Sequence, residues 1–218
     1  MIINKKKPYV IAELSANHQN SIKKAKLLVK AAADAGASAI KLQTYKPETM
    51  TINSYEKSFL IKEKNNLWKN RNLYSLFKEG SLPWEWHKEI YNYSRDLGIT
   101  AFSTPFDITA VKLLESLKTP FYKVASFENT DLDLIKCICE TNKPIIISSG
   151  MSKLSELSET IEFLEKNNCK EYYILKCTSN YPANPKDSNL YTIPHMKKLF
   201  KCDVGLSDHT PGIGASIA

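Results

Sequence analysis

Three lysines stand inside short apolar runs: Lys41 in Ile40-Lys41-Leu42-Gln43, Lys123 in Tyr122-Lys123-Val124 and Lys176 in Leu175-Lys176-Cys177. Burying several ammonium groups without counter-charge costs on the order of several kcal/mol each. An anion carrying phosphate or carboxylate would offset that cost, with hydroxyls and backbone N–H groups completing the cradle. Suitable polar residues sit at or just past the ends of such runs: Glu13, Gln43, Thr104, Ser126, Glu128, Ser148, Ser207 and His209. The competing reading is that each lysine pairs with a local acid or reaches out to the rim. His209, within Leu206-Ser207-Asp208-His209-Thr210-Pro211-Gly212, reads either as a hydrogen-bonded residue or as a metal ligand or base. His18 has the same two readings, whereas His87 and His195 fall on helical stretches and read as surface or packing residues. Trp84 and Trp86, near a helix start, read as packing residues.

Elements that could position these groups alternate along the chain. Strand-like runs cover Tyr9 to Leu14, Ala39 to Thr44, Thr100 to Thr104, Phe121 to Ser126, Pro144 to Ser149, Tyr172 to Thr178 and Asp203 to Ser207. Helical spacing covers Ser21 to Ala35, Trp84 to Leu97, Ile108 to Ser116, Asp131 to Thr141, Lys153 to Asn167 and Leu190 to Phe200, with Gly36 placed as a C-cap. Between Tyr45 and Leu82 there is no clean period, only a short helical piece near Leu73 to Lys78. Gly214 to Ala218 has the look of a helix beginning.

Seven βα repeats without a linker predict an α/β fold with a parallel sheet, and at this length a TIM (β/α)8-type barrel lacking its eighth strand. Successive strand side chains point to opposite faces. Lys41 and Gln43 therefore oppose Ile40 and Leu42, and Lys123 opposes Tyr122 and Val124. Lys176 and Thr178 oppose Leu175 and Cys177, and Gly205, Ser207 and His209 oppose Val204 and Leu206. Assigning the polar set to the interior predicts that all three lysines meet at one anion site near the strand C-termini.

The chain has 218 residues, 43% of them apolar and 24% charged, as expected for one globular domain over residues 1–218. No apolar run approaches the roughly 18 residues of a membrane helix, and Tyr9 to Leu14 is too short for a signal segment, so a cytoplasmic protein is expected. Net charge is +7, but Arg71 and Arg95 are the only arginines. Arginine is the usual tool for bidentate phosphate and base contacts, so no nucleic-acid partner is expected. The Lys5-Lys6-Lys7 run reads as a solvated terminus. Five cysteines without Cys-x-x-Cys spacing read as buried reduced thiols.

Seven motifs, in order, resemble the sialic acid synthase family: Ile11-Ala12-Glu13 with Asn17-His18; Lys41-Leu42-Gln43-Thr44; Ser103-Thr104-Pro105-Phe106-Asp107; Tyr122-Lys123-Val124-Ala125-Ser126 with Glu128; Ser148-Ser149-Gly150-Met151; Lys176-Cys177-Thr178-Ser179 with Tyr181-Pro182; and Gly205-Leu206-Ser207-Asp208-His209-Thr210. Within that family, Glu13-Leu14-Ser15-Ala16-Asn17-His18 resembles the pseudaminic acid synthases, as does the segment Leu67-Trp68 through Leu73-Tyr74 with Pro83-Trp84-Glu85-Trp86-His87.

The resemblance implies condensation of phosphoenolpyruvate with a 2,4-diacetamido-trideoxy sugar aldehyde, yielding a nine-carbon acid and phosphate. It implies that Lys41, Thr104, Lys123, Ser126, Ser148, Ser179 and Ser207 hold phosphoenolpyruvate, joined by Gln43, with Glu13 and Tyr181 near the sugar and Glu128 near the reacting carbons. It gives His209 as one of two histidine ligands to a divalent metal, usually Mn2+, with Mg2+ or Co2+ as alternatives. It also implies a second metal histidine on an eighth strand, a C-terminal antifreeze-like domain and a homodimer. The second histidine and the C-terminal domain lie beyond Ala218, so the chain as it stands is expected to be inactive and truncated before the eighth strand. A neuraminate or legionaminate synthase differs only in the sugar accepted. A Schiff-base aldolase using Lys123 or Lys176 and an inactive barrel fragment are readings of other classes.

Overall fold

A computed structural model describes residues 7–62 and 68–218. Lys5, Lys6 and Leu67, named above, lie outside the described residues. The described chain falls into two compact units, residues 7–119 and 120–218.

The first unit runs β1 (Ile11–Glu13), α1 (Ile22–Asp34), β2 (Ala39–Thr44), α2 (Pro47–Met50), α3 (Leu73–Gly80), α4 (Trp84–Asp96), β3 (Thr100–Pro105) and α5 (Ile108–Ser116). Its strands are parallel in the order β1-β2-β3. Ser21 starts α1 by accepting the Lys24 N–H, and Asp107 starts α5 by accepting the Thr109 and Ala110 N–H groups. Gly36, just after α1, has φ +81°, a left-handed turn that a side chain would strain. The stretch without a clean period is partly ordered: α2, a 3-10 turn at Lys57–Phe59, an antiparallel bridge from Leu60 to Asn72, and α3, capped by Asn72 and longer than its spacing suggests.

The second unit runs β4 (Tyr122–Val124), α6 (Leu132–Cys139), β5 (Ile145–Ser148), α7 (Leu154–Lys166), β6 (Tyr172–Cys177), α8 (Thr192–Phe200), β7 (Asp203–Ser207) and α9 (Gly214–Ile217). Its strands are parallel in the order β4-β5-β6-β7. Strand β5 reads Ile-Ile-Ile-Ser and is buried on both faces, as parallel strands between helices require. Ile174 and Val204 pack with Leu157, Ile161 and Met196 of α7 and α8, which marks the helix-facing side of β6 and β7.

The seven strands predicted from the sequence are all present, several one to three residues shorter than predicted. They make an α/β fold of the TIM-barrel type with seven βα repeats among the described residues, where a full barrel has eight.

Candidate active site

In the first unit, Glu13 lies opposite Lys41, Lys41 opposite Phe102, and Gln43 opposite Thr104. Paired residues of neighbouring strands share a face. Lys41 forms an ion pair with Glu13, the lysine side chain 15% and the acid 36% exposed. Lys41 thus takes the local acidic partner that the sequence left open. Thr104 is buried, and its hydroxyl oxygen has no hydrogen-bond partner among the described residues, as expected of a group that meets a ligand.

The opposite face of β2 and β3 carries a buried polar chain. His87 Nδ1–H donates to the Pro83 carbonyl at 3.2 Å, so Nε2 must accept, and it receives the Thr44 hydroxyl at 2.8 Å. The Thr44 oxygen in turn accepts from Ser103 at 2.7 Å. Burial pulls the His87 pKa down to about 4 and keeps the ring neutral. His87 is a core residue, its two nitrogens fastening α4 to the ends of β2 and β3. His18 is also buried, accepts the Asn20 N–H on Nδ1 and stands edge-on to Trp86. Burial lowers its pKa as well.

In the second unit the polar groups gather more tightly. Lys123 is buried, and its ammonium donates to the Val124 carbonyl at 3.0 Å and to the Ser148 hydroxyl. Neither partner is a carboxylate. Burial draws its pKa down to about 8, with the charges of Cys177 and Glu128 opposing. Glu128 moves the other way: burial lifts it to about 7 against the pull of Lys123, and one of its oxygens is buried without a partner. A lysine and a carboxyl are thereby shifted toward each other and toward neutral pH, as acid–base catalysis requires.

Beside them, Ser126, Cys177 and Ser179 surround Gly150, and His209 adjoins Cys177. The Cys177 sulfur lies 3.6 Å from the Ser179 hydroxyl and 4.0 Å from His209 Nδ1. Burial would raise its pKa, but hydrogen bonds from His209, Ser126 and Ser179 outweigh that and hold it at about 6. A Cβ on Gly150 would come within 2.1 Å of the Ser179 hydroxyl and 2.6 Å of the Ser126 hydroxyl. Only glycine leaves that space between two hydroxyls open. Asn129 supports the turn from beneath, donating to the Ser148 carbonyl at 3.0 Å and to Ser152.

Lys176 departs from expectation. Strand register puts Lys123, Ile146 and Tyr173 on one face, with Ser148 opposite Leu175, Leu175 opposite Gly205 and Cys177 opposite Ser207. Lys176 shares its face with Ile174, which packs on α7 and α8, and it donates to Thr178 at 2.6 Å and to the Asp187 carbonyl. Cys177, not Lys176, occupies the side of β6 that continues the face carrying Lys123 and Ser148. Gly205 has no side chain because a Cβ there would meet Leu175 at 2.9 Å.

His209 Nδ1–H donates to the Thr178 carbonyl at 3.0 Å, which makes Nε2 the lone-pair nitrogen. Fixing the tautomer through a carbonyl is how proteins orient a metal-binding imidazole. The Tyr181 ring lies over it, centroids 4.3 Å apart. Among the described residues no group of three His, Cys, Asp or Glu side chains stands together to hold a metal. The donor set fits one corner of a metal centre and not a whole one.

With this geometry in place, comparison with known proteins is decisive. The NeuB family model matches residues 28–218. The chain belongs to the NeuB family. It is 44% identical over 205 residues to the pseudaminic acid synthase of Helicobacter pylori (strain ATCC 700392 / 26695), covering 94% of this chain and 60% of that protein. It is 41% identical over 212 residues to the pseudaminic acid synthase of Campylobacter jejuni subsp. jejuni serotype O:2, covering 97% and 61%. The crystal structure of N-acetylneuraminic acid synthetase from Leptospira borgpetersenii serovar Hardjo-bovis matches with a TM-score of 0.82 at 27% identity, over 94% of this chain and 66% of that one. The chain therefore spans about three fifths of the length of the curated relatives it matches.

For a NeuB-family chain, the residues that sequence reasoning passed over are Cys177, Gly150 as a steric requirement, and Asn129. Gly150 stood within a quoted motif, Ser148-Ser149-Gly150-Met151, directly after a strand end; that was the available signal. Cys177 likewise stood within a quoted motif, Lys176-Cys177-Thr178-Ser179, on the side of the strand opposite Lys176.

Proposed function

We propose that the protein is a pseudaminic acid synthase. It condenses phosphoenolpyruvate with 2,4-diacetamido-2,4,6-trideoxy-L-altrose to give pseudaminic acid and phosphate, serving nonulosonic acid biosynthesis for surface glycans. The observation that carries the reading is Lys123, a buried ammonium that donates to the Val124 carbonyl and the Ser148 hydroxyl and to no carboxylate among the described residues. A phosphate or carboxylate is the natural counter-charge. The sugar assignment rests on likeness to the two pseudaminic acid synthases. A legionaminate or neuraminate synthase would use the same machinery on another aldehyde.

Lys123, Ser126, Ser148, Ser179 and Ser207 form the proposed phosphoenolpyruvate cradle, with the open space at Gly150 for an anion oxygen. Lys41, Gln43 and Thr104 complete the proposed substrate contacts, and Glu13 and Tyr181 are assigned to the sugar. Carbon–carbon bond formation at the enolpyruvate C3 leaves cationic character at C2. Water must then add at C2, and the tetrahedral species expels phosphate. Glu128, lifted to about 7, is suited to take the proton from that water and return it. Lys123 stabilises phosphate charge through both steps. A divalent metal, Mn2+ before Mg2+ or Co2+, would be held by His209 with ligands from outside the described residues. Its contribution would be to polarise the aldehyde as a Lewis acid. Homodimer assembly and a cytoplasmic setting are part of the same proposal; no helix among the described residues is long and apolar enough to cross a membrane.

The test is phosphate release from phosphoenolpyruvate by the full reading frame, with a panel of sugars, with and without manganese. Product from the diacetamido-altrose alone fixes the assignment, and product from another sugar alone overturns it. One observation favours a second reading. A lysine drawn down to about 8 is also what a Schiff-base aldolase needs. Borohydride trapping of a Lys123 adduct with pyruvate, without metal dependence, would support that alternative.

A further inference from the structure

Of the three strand lysines, Lys176 alone has no part in the proposed chemistry. It is nonetheless buried, 7% exposed, near the end of β6. Burial draws its pKa down, with the charges of Cys177 and Asp187 opposing. An apolar residue would fill the same space without that cost, so what Lys176 adds lies in its hydrogen bonds.

Those bonds run in one direction, because an ammonium can only donate. Lys176 Nζ donates to the Thr178 hydroxyl oxygen at 2.6 Å, which leaves the Thr178 hydrogen to reach the Asp187 carbonyl at 3.2 Å. The same carbonyl lies 3.5 Å from Lys176 Nζ and accepts the Asn189 amide at 3.2 Å. Thr178 also faces the site. Its own carbonyl is the group that accepts His209 Nδ1–H at 3.0 Å.

Residues 178–191 join β6 to α8, and of these only Ala183 and Ser188 are buried. So exposed a segment keeps one position only if it is tied at several points. It carries Ser179 and Tyr181, then Ala183, whose N–H donates to the His209 carbonyl at 2.9 Å. The Tyr181 ring rests on the His209 ring between these ties. A 3-10 turn at Pro185–Asp187 then returns the chain to the strand end, where the Asp187 carbonyl meets Thr178 and Lys176.

We infer that Lys176 is a positioning residue: through Thr178 and the Asp187 carbonyl it closes the 178–187 loop on the end of β6, and so sets where Tyr181 and His209 stand against the sugar aldehyde. The clamp follows from these bonds, while its bearing on the sugar rests on the synthase reading above. Lys123 and Lys176 then have separate tasks, one toward the enol ester and one toward the geometry of the sugar side.

The experiment is Lys176→Met in the full reading frame, with steady-state kinetics for each substrate and hydrogen–deuterium exchange of the peptide spanning 178–191. The sugar KM is expected to rise roughly 10- to 100-fold, the cost of displacing a substrate contact by about 1 Å. The fall in kcat should be smaller, the phosphoenolpyruvate KM unchanged and exchange in 178–191 faster. A purely structural lysine would instead lower the melting temperature and the active fraction and leave both KM values alone. Should Lys176→Met fail to fold, Thr178→Val, which removes the hydroxyl and keeps the carbonyl to His209, should move the sugar KM and the exchange in the same directions. The inference is overturned by an unchanged sugar KM, by unaltered exchange in 178–191, or by a parallel rise in the phosphoenolpyruvate KM, which would return Lys176 to the cradle. If the wild type makes no product with any sugar, the synthase reading fails, and exchange alone decides the clamp: faster in Lys176→Met upholds it, unaltered removes it.

Discussion

The two units solve the problem of a strand-borne lysine in opposite ways. In residues 7–119, Lys41 is given Glu13 on the adjacent strand, and the pair keeps contact with solvent. In residues 120–218, Lys123 is buried deeper and given the Ser148 hydroxyl and the Val124 carbonyl instead. An exposed pair adds little to stability, about 0–1 kcal/mol. A buried ammonium hydrogen-bonded to no carboxylate, with Cys177 and Glu128 acting on it only as nearby charges, opposes folding, and its retention points to a ligand. The same residue type thus reads as part of an ion pair in one place and as half of a binding site in the other.

The largest effect that could break this contrast lies at Glu128. Glu128→Gln in the full reading frame is expected to lower turnover on the order of 10²- to 10⁴-fold, the range for losing a general acid–base group, with phosphoenolpyruvate binding retained. Loss of binding with turnover intact would move the chemistry elsewhere. Next comes Lys123→Met, for which calorimetric titration should show phosphoenolpyruvate binding weakened by roughly 10- to 100-fold, the value of a charge-assisted bond. Its melting temperature should not fall, because the burial cost of the ammonium, the largest influence on it, is gone. A clear drop would mean that Lys123 is structural.

The pH dependence sharpens the same point. The unfolded lysine titrates near its ordinary 10.5 and the folded one at about 8. Between those values the unfolded chain holds the extra proton, so wild-type stability should rise as pH climbs through that window. The rise should be absent in Lys123→Met, and anion affinity should decline above about pH 8.

Smaller is the effect of His87→Ala, which strands the Thr44 and Pro83 groups and opens a cavity. Denaturant unfolding should show a loss of about 2–4 kcal/mol, with a smaller loss for His87→Gln if its amide restores one bond. Smallest is Glu13→Gln, expected to change unfolding free energy by less than about 1 kcal/mol. A loss comparable to that of His87→Ala would place Lys41 and Glu13 among the structural pairs and remove the contrast between the units.

Element order and type were legible because each repeat carried its own signals. Alternation on β2 separated Lys41 and Gln43 from Ile40 and Leu42, and Gly36 marked a helix end. What alternation cannot supply is the sign of the face on a strand buried on both sides. On β6, polarity argued that Lys176 pointed toward the ligand, but the register with β5 and β7 and the packing of Ile174 on α7 and α8 assign that side to Cys177. The partnership of Lys41 with Glu13 was legible as an alternative, since a local acid was the competing reading for each lysine. The depth of His87 was not, because the period of α4 does not reveal which neighbours cover it. The space at Gly150 depends on rotamers of Ser126 and Ser179 from the turns after β4 and β6, which no local pattern contains.

The proposed catalyst inherits a trade-off from the setting of Lys123. A charge left short of partners in the empty protein draws in whichever oxyanion is abundant, and inorganic phosphate freed by turnover has the right shape and charge to stay. Occupancy would favour the folded form by mass action while delaying the next cycle. Robustness and product inhibition would then be two readings of a single electrostatic deficit.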